Sequence, residues 1–155
     1  MEPAPDQSVP AGRYLGIDLG SRRVGIAVSD PDAKVATALT VVDRKQVPLA
    51  RRLDAIIEEY EVLALVVGLP RREDGSLGPA AESARDEAAQ LESELGIRVH
   101  LYDERYSTRI AAEAARAAGV SRRKLAKKGS IDMLAATVIL QGFLDRRRSA
   151  GNVGS

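Results

Sequence analysis

A chain of 155 residues, 45% hydrophobic and 29% charged, is sized for one soluble globular domain and is too apolar to be disordered. It has no cysteine, which excludes disulfides and thiolate metal sites. No run approaches the ~18 apolar residues of a membrane span, and the Pro-rich, acidic start MEPAPDQSVPAG is no signal peptide, so no membrane role is expected and the cytosol is the expected compartment.

The net charge of +1 conceals an asymmetry. Residues 50–97 carry 5 Arg against 11 Asp and Glu, whereas residues 98–148 carry 12 Lys and Arg against 5 Asp and Glu. A basic C-terminal third suits phosphate backbones. With 4 Tyr, 1 Phe and no Trp, a platform that stacks successive bases is disfavoured. Recognition of nucleic acid would run through phosphates and shape.

Residues 1–12 and 147–155 read as disordered tails around a domain at 13–146. RYLGIDL (13–19) and VGIAVS (24–29) predict two strands joined by the tight turn Gly20-Ser21-Arg22-Arg23. KVATALTVV (34–42) continues the meander. Leu49, Leu53, Ile56, Ile57 and Tyr60 then recur at helical spacing behind Pro48. VLALVV (62–67) is apolar without alternation, as in a strand covered on both faces. Pro79 opens a second helix with a stripe of Ala84, Ala88, Leu91 and Leu95, which Gly96 ends. IRVHLYD (97–103) is a fifth strand, residues 107–118 a third helix, and SRRKLAKKG a basic loop. A last helix over 131–146, capped by Ser130, buries Met133, Ala136, Leu140 and Phe143. The order βββαβαβαα predicts an α/β fold, a mixed five-stranded sheet with helices on both faces.

Acids stand at three ends of these elements. Asp18 closes the first strand inside an apolar run, Asp103 and Glu104 close the fifth, and Asp132 lies in the first turn of the last helix. If strands one and five are neighbours near the sheet centre, these ends converge. Clustered carboxylates repel, and they match a hard divalent cation, Mg²⁺ or Mn²⁺. Singly each has a plainer reading: a turn cap for Asp18, a helix-dipole partner for Asp132, surface charge for Asp103 and Glu104. Spacing alone leaves Asp103 and Glu104 as alternatives, on opposite faces of their strand. His100, mid-strand among apolar neighbours, reads as structural.

Four ordered segments resemble the YqgF (RuvX) family. They are Asp18-Leu19-Gly20 with RVGIAVSD (23–30), VVGLP (66–70) with Gly75, DERYST (103–108), and GVSRRKLAKKGSIDMLAATVILQGFLD (119–145), together spanning roughly 13–146. The resemblance implies a ribonuclease H-like fold and a metal-dependent endonuclease that processes the 5′ end of pre-16S ribosomal RNA. It implies Asp18, Glu104 and Asp132 as catalytic and metal-binding residues. Nucleic-acid contacts are expected from Arg23, Ser107, Thr108, Arg109, Arg122, Arg123, Lys124, Lys127 and Lys128. The related Holliday-junction resolvases carry a fourth acid one turn after the last one. Ala135 and Ala136 stand there instead, which weakens the expectation of resolvase activity.

The expected partner is structured RNA, pre-16S rRNA or a ribosomal particle, with branched DNA as the alternative and a monomer or homodimer as the assembly. Two readings of another class remain. GIDLGSRRVGIAV also resembles the phosphate loop of actin-like ATPases and sugar kinases, although those clasp nucleotide between two such domains. A non-catalytic RNA- or nucleotide-binding module would use the same surface without cutting.

Overall fold

The computed structural model describes residues 11–72, 74–103 and 130–152, with side chains for the last stretch over 131–147. Five strands form one sheet: β1 (Arg13–Leu19), β2 (Arg23–Ser29), β3 (Ala36–Asp43), β4 (Val62–Leu69) and β5 (Arg98–Asp103). Among the described residues three helices accompany them: α1 (Leu49–Tyr60), α2 (Pro79–Leu95) and α3 (Ser130–Asn152). The strand order is β3-β2-β1-β4-β5, antiparallel through the β1–β2–β3 meander and parallel for β1–β4 and β4–β5. The expected third helix at 107–118 and the basic loop lie outside the described residues.

This order corrects one expectation. β5 is not a neighbour of β1: β4 lies between them, and β5 is the edge. The reason is burial. Val66 and Val67 of β4 are completely buried on opposite faces, so β4 requires cover from both sides. Leu101 of β5 is 43% exposed, which an edge position tolerates.

The period of two along each strand sorts side chains onto two faces. Leu15, Ile17, Val24, Ile26, Leu65 and Val67 pack with Leu49, Leu53 and Ile56 of α1 and Ala88 and Leu91 of α2. Tyr14, Ala27, Ala64, Val66 and Tyr102 face the other way, against Ala136, Ile139, Leu140, Phe143 and Leu144 of α3. Each fully buried Leu or Ile contributes roughly 1.5–3 kcal/mol of transfer free energy, so both layers are needed.

Helix ends follow local chemistry. Pro48 precedes α1 in extended conformation, and Glu61 closes it in the left-handed region with its N–H donating to the Ile57 carbonyl. Gly96 closes α2 at φ 62°, where a side chain would be strained. α3 runs beyond 146 to Asn152, because no Gly or Pro interrupts Arg146-Arg147-Arg148.

Candidate active site

Asp18 sits one residue before the end of β1 and shares its register position with Gly25 of β2. Both therefore face α3. A Cβ on Gly25 would collide with the Asp132 carbonyl, so only a residue without a side chain lets the first turn of α3 settle on the hairpin. Two strand positions back, a Cβ on Gly16 would come within 2.6 Å of the Ala136 carbonyl and of Leu140 Cβ. These two glycines seat the first two turns of α3 on β1 and β2. The helix thereby carries Asp132 to Asp18.

The electrostatics record that proximity. Burial first, and then the negative charge of Asp132, push the Asp18 carboxyl up to about 6. Arg23 faces Asp132, with Nε 3.5 Å from Oδ2. That Nε is buried and makes no hydrogen bond among the described residues. Two crowded carboxylates and one under-used guanidinium thus share the end of the β1–β2 hairpin.

The hairpin turn is clamped from behind. Arg44 Nε donates to the Gly20 carbonyl at 2.9 Å, and Nη1 and Nη2 donate to the two Glu87 carboxylate oxygens at 2.7 and 2.8 Å. The Arg44 amide also donates to the Arg22 carbonyl at 2.9 Å. A bidentate pair of this kind fixes direction as well as distance. It ties the turn next to Asp18 to the body of α2.

Asp103 is engaged elsewhere. Arg71 Nε donates to its Oδ1 at 3.0 Å and Arg71 Nη2 lies 2.9 Å from its Oδ2, while Arg71 Nη1 donates to the Gly75 carbonyl at 3.0 Å. Its strand neighbour Tyr102 packs in the α3 layer, so Asp103 points to the face opposite Asp18. Among the described residues no group of three metal-ligating side chains comes together. Glu104 lies outside those residues, as do Ser107, Thr108, Arg109, Arg122, Arg123, Lys124, Lys127 and Lys128.

Residues 12–146 match the family model described as "RuvX: Holliday junction resolvase". The chain belongs to the RuvX family. It is 43% identical over 135 residues to a protein of Moorella thermoacetica, covering 86% of this chain and 95% of that one. It is 48% identical over 138 residues to one of Anaeromyxobacter sp. (strain K), covering 87% and 98%. Both relatives carry the name "Putative pre-16S rRNA nuclease". Among solved structures it is similar to T. thermophilus RuvC in complex with a Holliday junction substrate, with a TM-score of 0.54 at 19% identity, covering 89% of this chain and 97% of that one. That likeness concerns the fold, which is ribonuclease H-like.

Of the residues singled out in this RuvX chain, the fold joins Asp18, Asp132 and Arg23. The glycine seats and Arg71, the partner of Asp103, were not among them. Gly16 and Gly25 did carry a legible signal: a glycine inside an apolar strand marks a close approach of another backbone. Nothing local in the sequence distinguished Arg71 from the other arginines.

Proposed function

We propose that this RuvX protein is a phosphodiester-cleaving nuclease that acts on structured RNA, with the 5′ end of pre-16S rRNA as its substrate. The carrying observation is the seating of α3 on Gly25, which sets Asp132 beside Asp18. Two carboxylates brought together at a partly buried position are costly unless a cation compensates them. The donor set, all carboxylate oxygen, fits Mg²⁺ or Mn²⁺. Asp18 and Asp132 would hold such an ion, and the family motif adds Glu104. Asp103 is disfavoured by its ion pair with Arg71 and by its face of β5. The ion, when bound, supplies Lewis acidity at the phosphoryl oxygens and lowers the pKa of a bound water.

The remaining work falls to the chain. Arg23 offsets the charge of Asp132, and the partly exposed remainder of its guanidinium would donate to a phosphate oxygen. The Arg44–Glu87 clamp holds the turn that carries Asp18. The basic segment with Arg122, Arg123, Lys124, Lys127 and Lys128 would track the phosphate backbone, as its charge suits. Ala135 and Ala136, where the resolvases carry a fourth acid, support RNA over a DNA junction. Ala136 is completely buried and its carbonyl sits against Gly16, so an acid has no room there, and half-buried Ala135 brings no carboxylate.

The test is incubation of the purified protein with labelled pre-16S leader RNA and with a four-way DNA junction, each in Mg²⁺, Mn²⁺ or EDTA. Metal-dependent cutting of the RNA is expected. Cutting of the junction alone would replace the substrate, and cutting in EDTA would remove the metal from the mechanism.

A further inference from the structure

At the end of the molecule opposite Asp18 lies a cavity of about 300 Å³. Its walls come from the start of β1 (Tyr14), the start of β4 (Leu63, Ala64), the start of β5 (Arg98, His100) and the later turns of α3 (Phe143, Arg147). Tyr14 and Asp18 are four residues apart on β1, so roughly 13 Å of strand separates the cavity from the candidate active site. The intervening face is filled by Ala136, Ile139 and Leu140.

The lining divides into two chemistries. Among the described residues Arg98 and Arg147 form no ion pair and no carboxylate lines the cavity. The Arg147 guanidinium lies 5.6 Å from the centre of the Phe143 ring. The His100 ring is 5.0 Å from that same ring, and Tyr14 is 6.1 Å from it. Leu63, 48% exposed, adds an open apolar wall. Guanidinium groups left without carboxylates match phosphate, which they grip with paired N–H donors. The open apolar surface of Leu63 beside them, backed by the largely buried Tyr14 and Phe143, suits a nucleoside, and the volume is at the lower end of small-ligand sites.

We propose that this cavity is a second binding site, separate from the cleavage centre, that takes a nucleotide: the phosphate between Arg98 and Arg147, the nucleoside against Leu63 and the edges of Tyr14 and Phe143 that line the cavity. The ligand is either a free nucleotide or one nucleotide unit of a nucleic-acid chain. Burial, then Arg147 and Arg98, hold the His100 imidazole below its usual range, and only Glu92 acts the other way. The Glu92 carboxylate accepts the Val99 amide at 2.9 Å. The permanent charge of the cavity is therefore the two guanidiniums.

The test is calorimetric titration of the full chain with AMP, repeated with Arg98→Gln, Arg147→Gln and Asp18→Asn. Saturable binding is expected, at least tenfold weaker in each arginine variant and unchanged in Asp18→Asn. Both arginines are exposed, and equal melting temperatures would show that the variants are folded. A single-stranded RNA ten nucleotides long distinguishes the sources. If its affinity falls with that of AMP in the arginine variants, the site takes part of a chain. If only AMP weakens, it takes the free nucleotide. Either result supports the site. Absence of saturable AMP binding overturns it. So does AMP binding that is lost in Asp18→Asn yet intact in the arginine variants, because the nucleotide would then sit at the cleavage centre. None of these readouts depends on whether the protein cuts RNA.

Discussion

The backbone carbonyl of Asp132 occupies the space in which a side chain on Gly25 would begin. Gly25 is also the register partner of Asp18, so one missing Cβ sets the relation between the two acids. Gly25→Ala should push the first turn of α3 away from the hairpin. Overpacking of this kind costs about 1–3 kcal/mol, and cleavage should fall by more than tenfold as Asp132 moves. Melting curves and initial rates check both. A variant with the wild-type rate would show that the seat does not set the site.

Asp18→Asn should abolish cleavage while leaving RNA binding intact, because the substitution removes charge and keeps shape. It should also stabilise the metal-free protein. The Asp18 carboxyl rises from 3.8 to about 6 on folding, so between those values the folded state binds more protons than the unfolded one. The penalty is therefore absent below about pH 4, grows as pH rises through the window, and is complete above about pH 6. A shift of that size corresponds to at most about 3 kcal/mol. Urea unfolding in EDTA should show the variant more stable than wild type at pH 8, with the difference vanishing near pH 4. A difference that grows toward acid would reverse the assignment.

Asp103→Asn distinguishes the two neighbouring acids of the DERYST segment. It breaks a partly buried pair with Arg71 and should cost about 1 kcal/mol, with cleavage reduced less than threefold. Loss of cleavage at unchanged melting temperature would make Asp103, and not Glu104, the ligand.

Neutralising Arg122, Arg123 and Lys124 together should weaken binding to every RNA tested. Three lost phosphate contacts should flatten the dependence of log affinity on log salt by about two to three. An unchanged slope would mean that these three residues meet no phosphate.

Much of this architecture was legible because strong patterns produced it. The apolar run of β4, the Pro48 and Pro79 helix starts and the Gly96 stop lie where periodicity and capping chemistry place them. The convergence of Asp18 and Asp132 was legible only as a suspicion, since each acid has an ordinary local role. What periodicity could not supply was the order of strands. The apolar run marks β4 as covered on both faces, but its partners are set by pairing distant in sequence, with Arg13–Ile17 on one side and Arg98–Asp103 on the other. For the same reason Asp103 could not be separated from Glu104. Its ion pair with Arg71 spans 32 positions of chain. The cavity at Arg98 and Arg147 likewise joins ends of β1, β4, β5 and α3 that are remote in sequence.

The central claim, that Asp18 and Asp132 together hold the metal used in cleavage, is tested most directly by titrating Mn²⁺ and following free ion by electron paramagnetic resonance. Wild type, Asp18→Asn and Asp132→Asn would be compared at equal protein concentration. Saturable binding to wild type, weakened at least tenfold in both variants, is the predicted result. Mn²⁺ affinity unchanged in either variant would contradict the claim and leave the two acids as parts of the fold alone.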